Sequence, residues 1–167
     1  MELSSPHTKR VFLMRHAKTV TPYGLTRDFD RALTSKGLED ALKMGAWIKT
    51  SGWKIDRILS SSALRTRQTT ELVIQALSAS TSDVEFLDEL YHAEPAAFIQ
   101  TIQAQADSIE SLLIVSHNMG ITDFANQLTL TRIDHMPPGS VFAVQALCQH
   151  WSDFTTAEKR FLFFQQP

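Results

Sequence analysis

Short apolar runs alternate with longer segments of helical periodicity along most of this chain. The apolar runs have the length and composition of buried strands and lie at 10–14, 55–59, 84–87 and 112–115. Segments with apolar residues at helical spacing lie at about 35–50, 63–77, 95–106 and 120–128. This alternation predicts an α/β fold, a three-layer α/β/α sandwich with a mainly parallel central sheet. Two late runs, 141–147 and 160–164, predict strands that pair antiparallel with each other.

The composition is that of an ordinary globular chain. Of the 167 residues, 43% are apolar and 20% are charged, which fits one domain with a real core. We expect residues 1–9 to be a loose lead-in and residues 10–167 to form that domain. The net charge of -2 gives no global positive field that would hold nucleic acid. The single cysteine, Cys148, excludes an internal disulfide framework and a cysteine-rich zinc site.

The sequence carries no signal for secretion or membrane insertion. Residues 1–9 are polar and lack the apolar segment of a signal peptide. No apolar run approaches the roughly 20 residues of a membrane-spanning helix. We therefore expect a cytoplasmic protein with no membrane association, and the modest charge favours a monomer.

Charged and polar residues follow three of the predicted strands directly. The first strand ends in Arg15-His16, the second is followed by Ser60–Ser62 and then Arg65, and the fourth ends in Ser116-His117. Ligands of open α/β sheets bind beyond the carboxyl ends of the strands. If these strands are parallel, two arginines and two histidines meet at one edge of the sheet.

This set of side chains predicts phosphoryl chemistry. Arginine presents a planar fork of donors that matches phosphate oxygens and stays charged. Among these cations the protonated form of His16 is disfavoured, so its imidazole is expected to be neutral and nucleophilic near pH 7. Attack on phosphorus gives a phosphohistidine that water hydrolyses, while the arginines stabilise charge in the transition state. This chemistry requires neither a cofactor nor a metal.

Four segments resemble the blocks of one known family, the histidine phosphatase superfamily, also called phosphoglycerate mutase-like. In chain order they are Arg15-His16-Ala17, DRALTSKG at 30–37, SSALRTRQT at 61–69 and VSHN at 115–118. They span residues 10–128, and four blocks in the family's order are specific where any one would not be. Two positions depart from the usual pattern, because Ala17 replaces glycine and Ser62 replaces proline.

The resemblance implies a role for each matched residue. His16 would be the nucleophile, Arg15, Arg65 and His117 would bind the phosphate, and Arg31 would add a further phosphate contact. Within the superfamily the chain most resembles the SixA-type phosphohistidine phosphatases, which are short and share a Leu-Tyr-x-Ala segment with residues 90–93.

Several residues have two interpretations. Ser61 either bonds the phosphate or caps the following helix, and Arg31 either binds phosphate or forms a surface pair with Asp28 or Asp30. Glu89 and His92 are the candidates for a general acid or for the pocket wall. The remaining side chains considered are expected at the surface: His7, Arg67, His135 and His150, with Trp151 and Phe154 as further candidates for exposure.

The spacing of the blocks bears on the substrate. Only about fifty residues separate Arg65 from His117, and core elements use all of them, so no lid is expected and the site should be open. An open site admits a phosphorylated protein, such as a histidine phosphotransfer domain or a phosphocarrier. The imidazole of phosphohistidine leaves without strong need of an internal acid, unlike an alkoxide.

Other functions stay open at this point. A broad phosphomonoesterase of the same superfamily would act on small phosphoesters, and a phosphate-binding module would use the same pocket without turnover. A metallohydrolase would need His16, His92, His117 and Asp30 as ligands, which the neighbouring arginines disfavour. A phosphoglycerate mutase is the least favoured, because the segment that would retain a sugar-acid phosphate is missing.

Overall fold

The computed structural model describes residues 7–80 and 83–167, which form a six-stranded sheet flanked by helices. The strands are β1 (Lys9–Arg15), β2 (Arg57–Ser61), β3 (Val84–Leu87), β4 (Ser111–Ser116), β5 (Val141–Ala146) and β6 (Lys159–Gln165). The helices are α1 (Ser35–Thr50), α2 (Leu64–Leu77), α3 (Pro95–Gln103) and α4 (Gly120–Leu128). None of the described helices is long and apolar enough to cross a membrane.

The strands lie in the order β3-β2-β4-β1-β5-β6. Strands β1 to β4 pair in parallel, whereas β5 runs antiparallel to both β1 and β6. The predicted fold class is therefore confirmed, including the antiparallel pairing of the last two strands.

Side chains alternate between the two faces of the sheet. On one face Phe12 and Met14 of β1 pack with the buried residues of α1 and α2. On the other face Val11 and Leu13 pack with α3 and α4. This alternation, with period two, buries both faces of β1 completely, and each large apolar side chain contributes about 1.5–3 kcal/mol.

Several element boundaries differ from the predicted ones by one to three residues, and two of them involve charged side chains. Strand β1 includes Lys9, whose ammonium is buried and donates to the Ile109 carbonyl oxygen at 2.8 Å. The predicted lead-in is thus shorter than expected, and its residues 1–6 lie outside the described residues. Strand β2 begins at Arg57 rather than at Ile55, because the Asp56 carboxylate accepts from the Ser111 backbone nitrogen at 3.0 Å and closes that end of the sheet.

Three surface predictions are wrong. Trp151 and Phe154 are completely buried, and the Trp151 indole donates to the Ile109 carbonyl at 2.9 Å. Arg67 is half-buried, because its Nε donates to the Ser62 carbonyl at 2.8 Å and its guanidinium lies 4.2 Å from the centre of the Phe86 ring. Trp151 and Arg67 are each covered by a residue distant along the chain, Ile109 and Phe86 respectively.

Candidate active site

The register of β1 against β4 brings the two histidines together. Arg15 lies opposite Ser116 at the carboxyl ends of these parallel strands. The ladder continues one step further, since the His16 backbone nitrogen donates to the Ser116 carbonyl at 3.1 Å. The His16 and His117 ring centroids are 5.2 Å apart, and both residues are buried. Two residues a hundred positions apart in the chain thus share one edge of the sheet.

The hydrogen bonds of His16 fix its tautomer. Nδ1 lies 2.8 Å from the Ala17 carbonyl oxygen, which can only accept, so Nδ1 carries the proton. Nε2 therefore holds the lone pair, and the Arg65 Nε–H donates to it at 3.3 Å. Burial lowers the pKa of His16 to about 3, and the charges of Arg65, Arg15 and Arg31 add to this against the opposing Ala17 bond. His16 is consequently neutral at pH 7 with an unprotonated Nε2.

His117 is held by Ser61. Its Nε2 lies 2.7 Å from the Ser61 hydroxyl oxygen, whereas its Nδ1 is buried and has no partner. Burial and the charges of neighbouring groups lower the pKa of His117 well below its usual range. The Ser61 hydroxyl receives only a long contact of 3.4 Å from the Ala63 nitrogen. Its principal partner is therefore His117, rather than the start of α2.

The two arginines of the site reach it from different elements. Arg65 lies in the first turn of α2 with its side chain only 4% exposed, while Arg15 ends β1 and donates from Nη1 to the Met136 carbonyl at 2.9 Å. The Arg15 Nε is buried and unpartnered. Burial and the charge of Arg65 lower the pKa of Arg15. The carboxyl edge of the sheet thus holds two guanidinium groups beside two neutral imidazoles, and this set of side chains suits a phosphate anion.

Arg31 forms a pair with Asp28, which is the alternative to a direct phosphate contact. It donates to Asp28 Oδ1 at 3.1 Å and to the Thr19 hydroxyl at 2.7 Å. Its charge nevertheless contributes to the lowered pKa of His16, so it acts electrostatically on the pocket. A residue in this position can both pair with Asp28 and attract a phosphate.

The two acid candidates lie in different places. His92 is at the pocket mouth, with its ring centroid 6.0 Å from that of His117, its Nε2 3.6 Å from Asp28 Oδ2 and its side chain 61% exposed. This is the position of a pocket wall. Glu89 is exposed and lines a groove together with Leu87 and Gln100, a groove to which none of the residues around His16 contributes. Its location gives no support to an acid role.

Two of the histidines outside the blocks, His7 and His150, line a cavity beside Lys9 and Arg10, at the start of β1 and away from this pocket. His7 and His135 are exposed, as expected. His150 pairs with Asp107, with 2.7 Å between its Nδ1 and a carboxylate oxygen.

Sequence reasoning missed Asp28 and Tyr91 as members of the site. Asp28 belongs to a short 3-10 helix in the long loop after β1, and its Oδ2 accepts from the Tyr91 hydroxyl at 2.8 Å and from Arg65 Nη2 at 3.0 Å. The available signal is the spacing of three residues between Asp28 and Arg31, which by itself predicts only a surface pair. Tyr91 lies in the segment 90–93 that resembles the SixA-type branch, and this resemblance assigns it no role.

The ligand set considered for a metal is not assembled. Within residues 7–80 and 83–167, no group of three or more His, Cys, Asp or Glu side chains could hold a metal ion. Asp30, one of the four residues considered, instead pairs with Arg27 at 2.6 Å.

Comparisons with known proteins show the family to which the chain belongs. The sequence model of the histidine phosphatase superfamily (branch 1) matches residues 11–97. An uncharacterized protein of Mycobacterium leprae is 32% identical over 165 residues, 92% of this chain and 99% of that protein. The phosphohistidine phosphatase SixA of Escherichia coli is 32% identical over 110 residues, 65% of this chain and 66% of that protein.

A solved structure of the protein histidine phosphatase SixA complexed with tungstate has the same fold. It superposes with a TM-score of 0.81 at 24% identity, covering 94% of this chain and 96% of that one. Family match, relatives and fold point the same way, and the chain belongs to the histidine phosphatase superfamily (branch 1).

Proposed function

We propose that this protein is a phosphatase that removes phosphoryl groups from phosphohistidine in a partner protein, through a phosphohistidine intermediate on its own His16. The observation that carries the proposal is the neutral, buried His16, whose Nε2 lone pair lies among the charges of Arg15, Arg31 and Arg65. A nucleophile needs this unprotonated nitrogen, and a phosphoryl group needs these cations. The 32% identical SixA of Escherichia coli carries the name of the same activity.

The reaction would proceed in two displacements. His16 Nε2 forms a bond to phosphorus while the bond from phosphorus to the substrate imidazole nitrogen breaks, and that imidazole keeps or takes a proton from solvent. Water then attacks the phosphorus on His16, releasing inorganic phosphate and restoring the neutral imidazole. Arg65 would stabilise the equatorial oxygens in both steps, and Arg15 and His117 would bind the same group.

A protein substrate fits the outer part of the site. The loop that carries Asp28 and Arg31 also exposes the side chains of Tyr23 and Leu25 almost fully, and apolar surface of this kind suits contact with a protein. Glu89 is exposed and lines a separate groove, so it does not place a carboxylic acid beside His16. This is consistent with a leaving group that needs no internal acid. A cytoplasmic location and a monomeric state remain part of this proposal.

The central test is the transfer of label to His16. Wild-type protein incubated with a 32P-phosphohistidine protein should acquire a label that acid removes and alkali does not, and His16→Ala should acquire none and lose at least about 10³-fold in turnover. His7→Ala, which replaces an exposed imidazole at the start of β1, is the matched control and should behave like the wild type. Wild-type turnover by His16→Ala would contradict the covalent mechanism.

A substrate panel addresses the rival function in the same superfamily. We expect kcat/KM for phosphohistidine proteins to exceed that for small phosphoesters. An alkoxide leaving group needs a general acid, which contributes roughly 10²–10⁴-fold, and the site does not provide one. A higher kcat/KM for a small phosphoester would favour the phosphomonoesterase. Binding of phosphate with no turnover of any substrate would favour the non-catalytic module.

A further inference from the structure

The Asp28 carboxylate is the centre of a hydrogen-bond cluster at the mouth of the pocket. Its Oδ1 accepts from Arg31 Nη1 at 3.1 Å, and its Oδ2 accepts from Arg65 Nη2 at 3.0 Å and from the Tyr91 hydroxyl at 2.8 Å. Its backbone carbonyl accepts from Arg65 Nη1 at 2.6 Å. One residue therefore binds both terminal nitrogens of Arg65.

The contacts of Arg65 divide its guanidinium into two edges. The outer edge, formed by one N–H of each terminal nitrogen, faces Asp28. The inner edge consists of the Nε–H and the second N–H of Nη2, which lie side by side in the planar guanidinium. On this edge the Nε–H donates to His16 Nε2 at 3.3 Å. The inner edge therefore faces the nitrogen on which a phosphoryl group would be carried.

We propose that Asp28 is a positioning residue that holds the outer edge of Arg65, so that the inner edge is aimed at the phosphoryl group on His16. The inference rests on the proposed function, since it assigns an orientation to the phosphate-binding arginine of that reaction. Two N–H groups of one guanidinium can donate to two phosphate oxygens only when the guanidinium plane has the correct orientation. Small errors in the placement of a catalytic group cost large factors in rate.

The surroundings of Asp28 keep its carboxylate ionised and fixed. Partial burial by itself would raise the pKa of Asp28, but the hydrogen bonds from Tyr91, Arg31 and Arg65 outweigh it and hold this pKa well below its usual range. Tyr91 in turn packs edge-on against Phe29, with 5.1 Å between ring centroids. The acceptor for Arg65 is thus itself held from two sides.

The net charge of the site, with Asp28 included, is equal and opposite to that of a phosphoryl dianion. With neutral histidines, the three arginines and one carboxylate leave two positive charges facing the pocket. This matches a phosphoryl dianion, so the carboxylate orients Arg65 without cancelling the attraction for the substrate.

The test is the effect of Asp28→Ala on kcat and KM for a phosphohistidine protein. The variant keeps the backbone contact to Nη1 and loses the one to Nη2, so we expect kcat to fall about tenfold or more. KM and the Kd of inorganic phosphate should stay within about threefold, because the ground state keeps Arg15 and His117. Asp30→Ala is the matched control in the same 3-10 helix, where Asp30 pairs only with the exposed Arg27, and it should change kcat less than about twofold.

A double-mutant cycle separates positioning from a merely structural role. In an Arg65→Ala background, Asp28→Ala should change kcat less than about twofold, because the group through which it acts is gone. Tyr91→Phe removes one donor to Asp28 with little change in shape. It should also lower kcat, by a smaller factor than Asp28→Ala does. Circular dichroism and the urea midpoint check that each variant is folded.

Several outcomes would overturn the inference. Equal losses from Asp28→Ala with and without Arg65 would show that Asp28 does not act through it, and an equal loss from Asp30→Ala would assign the effect to folding of the loop. A higher kcat or tighter binding of inorganic phosphate in Asp28→Ala would mean that the carboxylate competes with phosphate. Failure of the wild type to label His16 refutes the proposed function instead, and an unchanged kcat in Asp28→Ala with normal labelling refutes only the positioning role.

Discussion

The two buried histidines should make the folded protein sensitive to mild acid. Burial lowers the pKa of His16 to about 3 and that of His117 well below its usual range, whereas a histidine in an unfolded chain has a pKa of about 6.5. Below pH 6.5 the unfolded state therefore binds more protons than the folded state. The stability that the neutral imidazoles contribute is complete above that pH and is lost as the pH falls towards their folded pKa values.

The magnitude follows from the linkage of protonation to unfolding. Each histidine adds a slope that approaches about 1.4 kcal/mol per pH unit, so His16 alone should remove about 2 kcal/mol from the free energy of unfolding between pH 6.5 and 4.5. His117 should remove a similar amount. Asp28 contributes little in this window, because its pKa is lowered and its share of the stability is lost only below the ordinary range of a carboxyl group.

Urea unfolding at pH 7.0, 6.0, 5.0 and 4.5 would measure this slope for the wild type, His16→Asn and His117→Asn. Each variant should reduce the mean slope between pH 6.5 and 4.5 by about 1 kcal/mol per pH unit, because one imidazole no longer takes up a proton on unfolding. His135→Asn replaces an exposed histidine and should leave the slope unchanged. A wild-type slope in both His16→Asn and His117→Asn would refute the conclusion that these imidazoles are neutral because they are buried.

Three further substitutions test other parts of the structure. In Gly120→Ala the new Cβ would lie 1.7 Å from the Ala93 carbonyl oxygen, so the backbone must shift and we expect a loss of about 3 kcal/mol in urea unfolding. Ser61→Ala removes the 2.7 Å contact to His117 and leaves its buried Nε2 without this partner, so kcat should fall about tenfold and the free energy of unfolding by about 1–3 kcal/mol. Glu89→Gln should leave kcat on a phosphohistidine protein within about twofold, because Glu89 lies in a groove outside the site. A large loss of kcat in that variant would restore Glu89 as an acid.

The sequence by itself determined the fold class and the placement of Arg15, His16, Arg65 and His117. Each follows from a local pattern, because strands and helices are encoded by the spacing of apolar residues over a few positions. Once the strands are parallel, the residues after their carboxyl ends must share one edge of the sheet. The structure indeed brings the His16 and His117 rings to 5.2 Å, although the sequence separates them by a hundred positions.

Only the tertiary structure decided which partners complete the site. Asp28 meets Arg65 and Tyr91 across 37 and 63 positions of the chain, and both contacts depend on the path of an irregular loop that carries no periodicity. Glu89 lies one residue from the buried Leu90, yet the 3-10 turn after β3 directs it to another surface. Side-chain direction in a loop is set by packing against distant elements, and no local pattern of residue types records it.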